Sequence, residues 1–488
     1  MSLSRLRAEW CPSIPRELLA GAVATFALIP EVIAFSFVAG VDPAVGLFAS
    51  FVISLVIAFT GGRPAMISAA AGSVALVAAP LVQSHGLPYL LAAGVLAGLV
   101  QIAFGLLRLG VLMRFVSSSV RTGFVNALAV LIFAAQLPHL QGAHGATWAM
   151  LALGLALIYG LPALRLRVFQ VVPSPLVCIV VLTGISLALG LPLATVADLG
   201  LLPDSLPQFG WPGVPLTWQT LQLIALPALA IAMVGLLESM MTASVVDEMT
   251  DTPSSKNREC TGLGLANIAA SLFGGIAGCG MIGQTVSNVK YGGRGRLSTL
   301  FAGLFLLILM VVLKPWVSQV PVVALVAIMV MVSASTFDWG SLRTLVRHPR
   351  LSSAVMLATV AVTLATHNLA AGVAVGVVMS GVFFAVKVAR MLDVRAEDDS
   401  ATGLRNWTVT GQVFFASADA FIDAFDVLGA KGRAVRIDVT RAHFWDVTAV
   451  AALDKVVLRL RHHGCTVEVV GLNAASAVLI DQLAPQPR

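Results

Sequence analysis

The sequence predicts a polytopic α-helical membrane protein: fourteen spans in a 7+7 inverted repeat, followed by a small cytoplasmic α/β domain. Three observations carry this. Of 488 residues, 58% are hydrophobic and 11% charged, with mean hydropathy +0.93; a soluble chain holds about 25% charged residues. Two glycine-rich stretches, GGRPAMISAAAGS (61–73) and GGIAGCGMIGQTVS (274–287), each interrupt an apolar region, one in either half of the chain. Charge density then changes: residues 1–390 hold 20 Lys/Arg and 12 Asp/Glu, whereas residues 391–488 hold 10 and 12.

The apolar runs fall near 18–40, 44–60, 70–84, 87–107, 116–137, 147–163, 172–194, 220–246, 260–276, 283–291, 297–313, 319–337, 352–367 and 369–388. Most are long enough to cross a ~30 Å hydrocarbon core as helix. The third and tenth are too short. With the N-terminus inside, the inner loops carry Arg63, Arg108, Arg114, Arg121, Arg165, Arg167, Lys256, Arg258, Lys290, Arg294, Arg296, Arg343, Arg347, Arg350, Lys387 and Arg390, and the outer loops only Lys314. That asymmetry places both termini in the cytoplasm. The net charge of +6 therefore reads as topology and not as nucleic-acid binding. The N-terminus shows no cleavable signal peptide. The five cysteines, Cys11, Cys178, Cys260, Cys279 and Cys465, are scattered and form neither a disulfide framework nor a metal motif, so no metal or other cofactor is expected.

Each glycine-rich stretch precedes a short span, and that span is third in its half. Seven is odd, so the second half is inverted relative to the first (repeats about 15–195 and 218–390). Matched broken helices in an inverted repeat point to a transport site. Non-helical backbone is tolerated at membrane depth only where it lines a cavity or is buried in protein. A half-helix beginning there points free N–H groups and a positive dipole end at its surroundings. The first should begin at Ala71, Gly72 and Ser73, the second at Gly283, Gln284 and Thr285. Two such ends facing one another make an anion site without a cationic side chain. The alternative is that small residues here serve only close helix packing.

Two acidic residues lie well inside spans, Glu31 in the first and Glu238 in the eighth, at equivalent places in the two halves. An intramembrane carboxylate is expensive and is a functional hypothesis by default. A group that gains a proton on one side and loses it on the other suits that place, which makes H+ the expected coupling ion, with Na+ as the alternative. A protonated structural carboxyl is the competing reading.

The motifs IPEVIAFSFVAGVDPAVGLFAS (29–50), SSSVRTGFVNALAVLIFAAQL (117–137), VGLLES (234–239), NRECTGLGLANIAASLFGG (257–275) and NVKYGGRGRLS (288–298) together resemble the sulfate permease (SulP) family of anion transporters over nearly the whole chain. The resemblance implies a core domain and a gate domain, an anion site built by short spans three and ten with the flanks of spans one and eight, an elevator-like motion and a homodimer. It brings Phe35 into the site, where the family has Tyr. It also marks departures: Glu31 replaces the usual Gln, Gln284 stands where many members have Arg, and Met281 and Gly283 stand where they have Ser. Lacking a fixed cation, the site favours co-transport with H+ or Na+ over exchange.

Residues 391–404 read as a charged linker and 405–488 as alternating strands and helices, with one helix running to about Leu428, a second over WDVTAVAALDKVVLRLRHHG and a last one after the strand TVEVVGL. The stretches VFFAS and IDVTRAHFWDVTAV resemble a STAS domain, in which Thr448 takes the place of a phosphorylatable Ser; an ordinary helix start is the simpler reading of that residue. The leading function is a secondary active symporter of a small anion (a dicarboxylate such as fumarate, sulfate or bicarbonate) in a bacterial-type plasma membrane. Its partners are that anion, the bilayer and a second copy. A Na+-coupled bicarbonate transporter, a nucleobase-type proton symporter, an uncoupled channel and a sensor signalling through the tail are the alternatives. No nucleophile–base pair suggests an enzyme.

Overall fold

Every predicted span is a helix. The computed structural model describes residues 9–10, 12–110, 116–163, 174–199, 208–347, 350–398, 403–472 and 476, in two units, 1–377 and 378–488. In the first unit, Pro30 sits inside α1 (Ile14–Ala39), where it removes one helical N–H. Gly40, at φ 75°, turns the chain into α2 (Pro43–Thr60). A non-helical passage holding strand β1 (Ser68–Ala70) leads to the short α3 (Gly72–His85), and α4 (Leu87–Leu106) follows. Then come α5 (Ser118–Ala134), α6 (Gly145–Ala163) and α7 (Ser174–Leu189). The second half repeats the order: α8 (Trp218–Thr250), α9 (Lys256–Leu272), strand β2 (Gly278–Gly280), the short α10 (Ile282–Lys290), α11 (Arg296–Val317), α12 (Val322–Thr336), α13 (Arg350–Thr366) and α14 (Leu369–Ala389). The two helices expected to be too short have 14 and 9 residues.

The helices sort into two groups, as the family resemblance implies. α1–α4 and α8–α11 pack on each other, chiefly α9 on α4 and α2, α11 on α1 and α2, and α8 on α4. α5, α6, α7, α12 and α13 form the second group, with α13 on α5 and α12 on α5, α6 and α7. The groups meet through α1 on α12 and α7, and α3 on α5. Small residues set the tightest crossing. A Cβ on Gly98 of α4 would lie 2.5 Å from the Gly264 carbonyl of α9, and one on Gly264 2.4 Å from the Gly98 carbonyl. Such backbone approach substitutes for the hydrophobic drive that helices lack within lipid.

Five of the cations assigned to inner loops gather at one end of the first group. Arg63 and Lys256 both reach Asp247 (3.2 and 2.9 Å), and Arg258 and Arg296 reach Glu9 (3.8 and 2.7 Å). Beside them the Arg294 N–H donates to Glu17 at 2.7 Å. Arg114, Arg165 and Arg167 lie outside the described residues.

The second unit is built on a four-stranded sheet of order β3 (Asp393–Asp398), β4 (Arg405–Val413), β5 (Ala434–Phe444), β6 (Thr466–Val470), with β3 antiparallel to β4 and the other pairs parallel. Trp407, Phe421, Ile437, Val439, Leu453 and Leu460 form its core. The tail departs from the sequence expectation in two places. The expected linker 391–404 contains β3, whose charged residues are affordable because the strand lies at the sheet edge, largely exposed. Helix α15 (Ala418–Asp423) stops short of the expected Leu428, because Asp426 accepts the Gly429 N–H (2.9 Å) in a turn of its own. Helix α16 (Val447–His462) follows β5 as expected. The helix expected after β6 lies outside the described residues except for Ser476.

Candidate functional site

Between α2 and α3, and again between α9 and α10, the chain crosses the first group as extended backbone. The two strands meet: β1 and β2 pair antiparallel, with Ser68 opposite Gly280, Ala69 opposite Cys279 and Ala70 opposite Gly278. Gly278 allows this contact, since a Cβ there would lie 2.0 Å from the Ala69 carbonyl oxygen.

Neighbouring helices supply partners for the polar groups that the bridge leaves over. From α9, Asn267 accepts the Gly278 N–H (2.9 Å) and donates to the Gly278 carbonyl (3.2 Å) and to Gln101 (2.9 Å). From α8, Ser239 accepts the Gly280 N–H (2.9 Å) and Thr242 donates to the Gly280 carbonyl (2.7 Å). From α10 and α11, Thr285 accepts the Ile67 N–H (2.9 Å), Asn288 donates to the Ala65 carbonyl (2.8 Å) and Thr299 to the Met66 carbonyl (3.0 Å). Ser54 of α2 donates to the Ser68 carbonyl (2.9 Å). Broken backbone at this depth is therefore held by protein in place of water.

The half-helices begin where the sequence puts them. The first helical bond of α3 runs from Ala75 N–H to the Ala71 carbonyl (2.9 Å), and that of α10 from Thr285 N–H to the Met281 carbonyl (3.1 Å). The N–H groups of Gly72, Ser73 and Val74, and of Ile282, Gly283 and Gln284, therefore have no helical acceptor. The two ends are not equivalent, which the sequence did not indicate. The Phe35 ring lies over Gly72, where a Cβ would come within 2.6 Å of it. Gly283 is exposed, and a Cβ there would meet nothing within 4 Å.

The remaining predicted residues take definite positions. Ala71 is buried at the end of β1. Glu238 joins both breaks: Ser73 Oγ and Cys279 Sγ (3.0 Å) donate to its Oε2. Glu238 and Glu31 are only partly buried in the interior of this group, and Glu31 stands within interaction range of Glu238 and of the Gln284 amide. Gln284 is buried, and its Nε2 has no hydrogen-bond partner of good geometry. The Thr285 hydroxyl is committed to Ile67. In the tail, Asp446 caps α16 by accepting the Ala449 N–H (2.8 Å), and Thr448 is exposed in the first turn.

Three side chains at or beside the breaks escaped the sequence reading. Glu259, in the first turn of α9, is fully buried and accepts the Gly62 and Arg63 N–H groups (2.7 and 3.1 Å) just before β1. Glu17, also fully buried, accepts the Arg294, Gly295 and Ser298 N–H groups (2.7, 2.9 and 3.1 Å) at the start of α11. An acid in a first turn was the available signal for both. Cys279 carried none.

The sulfate permease family model matches residues 14–152 and 141–359, and the STAS domain model residues 401–484. The Bacillus subtilis protein YbaR, named a sulfate transporter, is 49% identical over 98% of this chain and 99% of its own. The solved transmembrane domain of the cyanobacterial bicarbonate transporter BicA is similar with a TM-score of 0.66 at 25% identity, over 76% of this chain and 98% of its own. The murine anion transporter Slc26a9 shares the fold, with a TM-score of 0.82 at 19% identity over 96% of this chain and 87% of its own.

Proposed function

The chain belongs to the sulfate permease family of anion transporters and carries its STAS domain, and from that premise we propose a proton-coupled symporter of a small anion. The observation that carries the coupling is the position of Glu238, hydrogen-bonded at once to Ser73 of α3 and Cys279 of β2. The anion sits at the open end of α10, where the N–H groups of Ile282, Gly283 and Gln284 and the helix dipole offer positive charge. The covered end of α3 adds field but less contact. Gln284 stands where many relatives hold a cation, so the anion's charge is offset by protons on Glu238 and Glu31. Loaded with anion and protons, the site approaches neutrality and can cross a low-dielectric region that a bare charge could not.

Two groups of helices with a narrow common boundary suit an elevator-like motion of α1–α4 and α8–α11 against the rest. The cations gathered at one end of that group support cytoplasmic termini in a plasma membrane. We assign the working unit as a homodimer. Sulfate is the first substrate to test because YbaR bears that name; the likeness to BicA favours bicarbonate as the second reading. Fumarate stands for the dicarboxylates, which the alanine-lined β1 would accommodate.

The test is uptake into proteoliposomes under an inward proton gradient, with labelled sulfate, bicarbonate and fumarate run in parallel with and without Na+. Accumulation that collapses with a protonophore supports proton symport. Accumulation that needs Na+ replaces H+ with Na+. A uniform absence of gradient-driven uptake sinks the reading.

A further inference from the structure

Cys279 has no part in the family resemblance, yet it occupies the point where the two breaks and α8 meet. Its backbone is fixed by pairing with Ala69. Its side chain is completely buried, and an added Cβ on Gly235, one turn before Glu238, would lie 3.8 Å from the Cys279 Cβ. The thiol therefore has little freedom. It donates to Glu238 Oε2 at 3.0 Å, and its sulfur lies 3.8 Å from Ser73 Oγ, the second donor to that same oxygen.

We propose that Cys279 is a positioning residue for the coupling carboxyl: with Ser73 it anchors Oε2 of Glu238, leaving Oε1 as the oxygen that exchanges its proton. This rests on the proton-symport reading and assigns chemistry within it. Two donors converge on Oε2, whereas no described hydrogen bond reaches Oε1, and Glu238 keeps part of its surface accessible. One donor belongs to the first repeat and one to the second. The anchor therefore holds the ionised carboxylate most strongly when both half-helix ends are in register around it, and a proton arriving on Oε1 weakens Oε2 as an acceptor. Protonation of one side chain thereby loosens a junction between the repeats. A thiol is suited to this task. It is a weak donor, so its bond is released at small cost, whereas a stronger donor would bias Glu238 toward the ionised form.

The test measures the pH dependence of gradient-driven uptake in the wild type, Cys279→Ala and Cys279→Ser, each full-length and reconstituted. Removing a donor to the charged form should move the pH of half-maximal uptake in Cys279→Ala upward by about one unit, with the maximal rate within a few-fold of wild type. Cys279→Ser keeps a donor and should restore the midpoint or move it slightly below wild type. An unchanged midpoint in Cys279→Ala, beside a pH-dependent wild type, overturns this proposal and leaves proton symport standing. A flat wild-type profile removes the symport reading and this proposal with it. Should Cys279→Ala misfold, infrared difference spectra of the wild type between low and high pH give the answer. A thiol S–H band, assigned by its absence in Cys279→Ser, should shift with Glu238 protonation; a band indifferent to pH overturns the anchor.

Discussion

Replacing Gly278 by Ala tests whether the crossed strands are the structural centre of the first unit. The new Cβ would lie 2.0 Å from the Ala69 carbonyl oxygen, 2.5 Å from its carbon and 2.9 Å from the Ala70 nitrogen. All three are backbone atoms, so no side chain can rotate away. Relief to an ordinary contact near 3.4 Å requires β2 to retreat from β1 by more than an ångström. That movement breaks the two Asn267 bonds to Gly278, now 2.9 and 3.2 Å. Overpacking costs about 1–3 kcal/mol, and each lost hydrogen bond adds about 1 kcal/mol. The expected loss is about 3–5 kcal/mol, read as a fall of several degrees in the apparent Tm of the detergent-purified protein, with gradient-driven uptake lost. Gly283→Ala is the control. Its Cβ meets nothing within 4 Å, and Ala is favoured over Gly in a helix by up to about 1 kcal/mol. Its Tm should hold or rise while uptake falls, because the methyl group intrudes on the proposed anion seat. A Gly278→Ala protein with wild-type Tm would refute the central role of the bridge. A destabilised Gly283→Ala protein would refute the open face of α10.

Glu238→Gln preserves the shape and the acceptor oxygen facing Ser73 and Cys279, so the protein should fold, while proton-driven accumulation falls at least tenfold; retained pH-dependent uptake would remove Glu238 from coupling. Gln284→Arg places a permanent cation near Glu31, which should pair with it and shift transport from gradient-driven uptake toward anion exchange. Equal ratios of the two fluxes in mutant and wild type would mean that residue 284 does not face the site. In the tail, the Thr440 hydroxyl and N–H hold Asp438 below the usual carboxylate range. A depressed carboxylate stabilises the fold above its unfolded pKa and ceases to do so as pH falls through its folded value. Asp438→Asn should therefore weaken the tail at neutral pH by less than about 1 kcal/mol, after allowance for its partial exposure. That difference should vanish on acidification in a protease-susceptibility assay of the tail, and a deficit independent of pH would contradict the assignment.

The span pattern was legible because hydrophobicity and loop charge are additive along the chain. The breaks at 61–73 and 274–287 were legible because clustered glycine, joined by Pro64 in the first, disfavours helix. What these signals lack is the partner across the fold. Nothing local distinguishes Asn267 from any other helical Asn, yet it holds both polar groups of Gly278. Cys279 read as one scattered cysteine because its function lies in contacts with Ser73 and Glu238, which are 206 and 41 residues away. The inequality of the two half-helix ends was equally hidden, since it depends on where the Phe35 ring comes to lie. The edge strand β3 was misread because its composition is that of a linker, and an edge strand tolerates that composition.

Three partners of the first break lie far ahead of it in the chain. Ile67 waits for Thr285, 218 residues on, Ala65 for Asn288 and Met66 for Thr299. A ribosome adding roughly 5–20 residues per second needs about 10–40 s to cover that separation. During this interval Ser54 and Ser50 can serve Ser68 and Ala70, but the backbone groups of residues 65, 66 and 67 lack these later partners, a condition that hydrocarbon penalises heavily. Residues 61–85 should then remain at the membrane surface or in the care of the insertion machinery until the second half arrives. The two halves of this carrier are thus one unit of biogenesis, and a chain truncated before residue 278 should be recognised as unfinished and degraded.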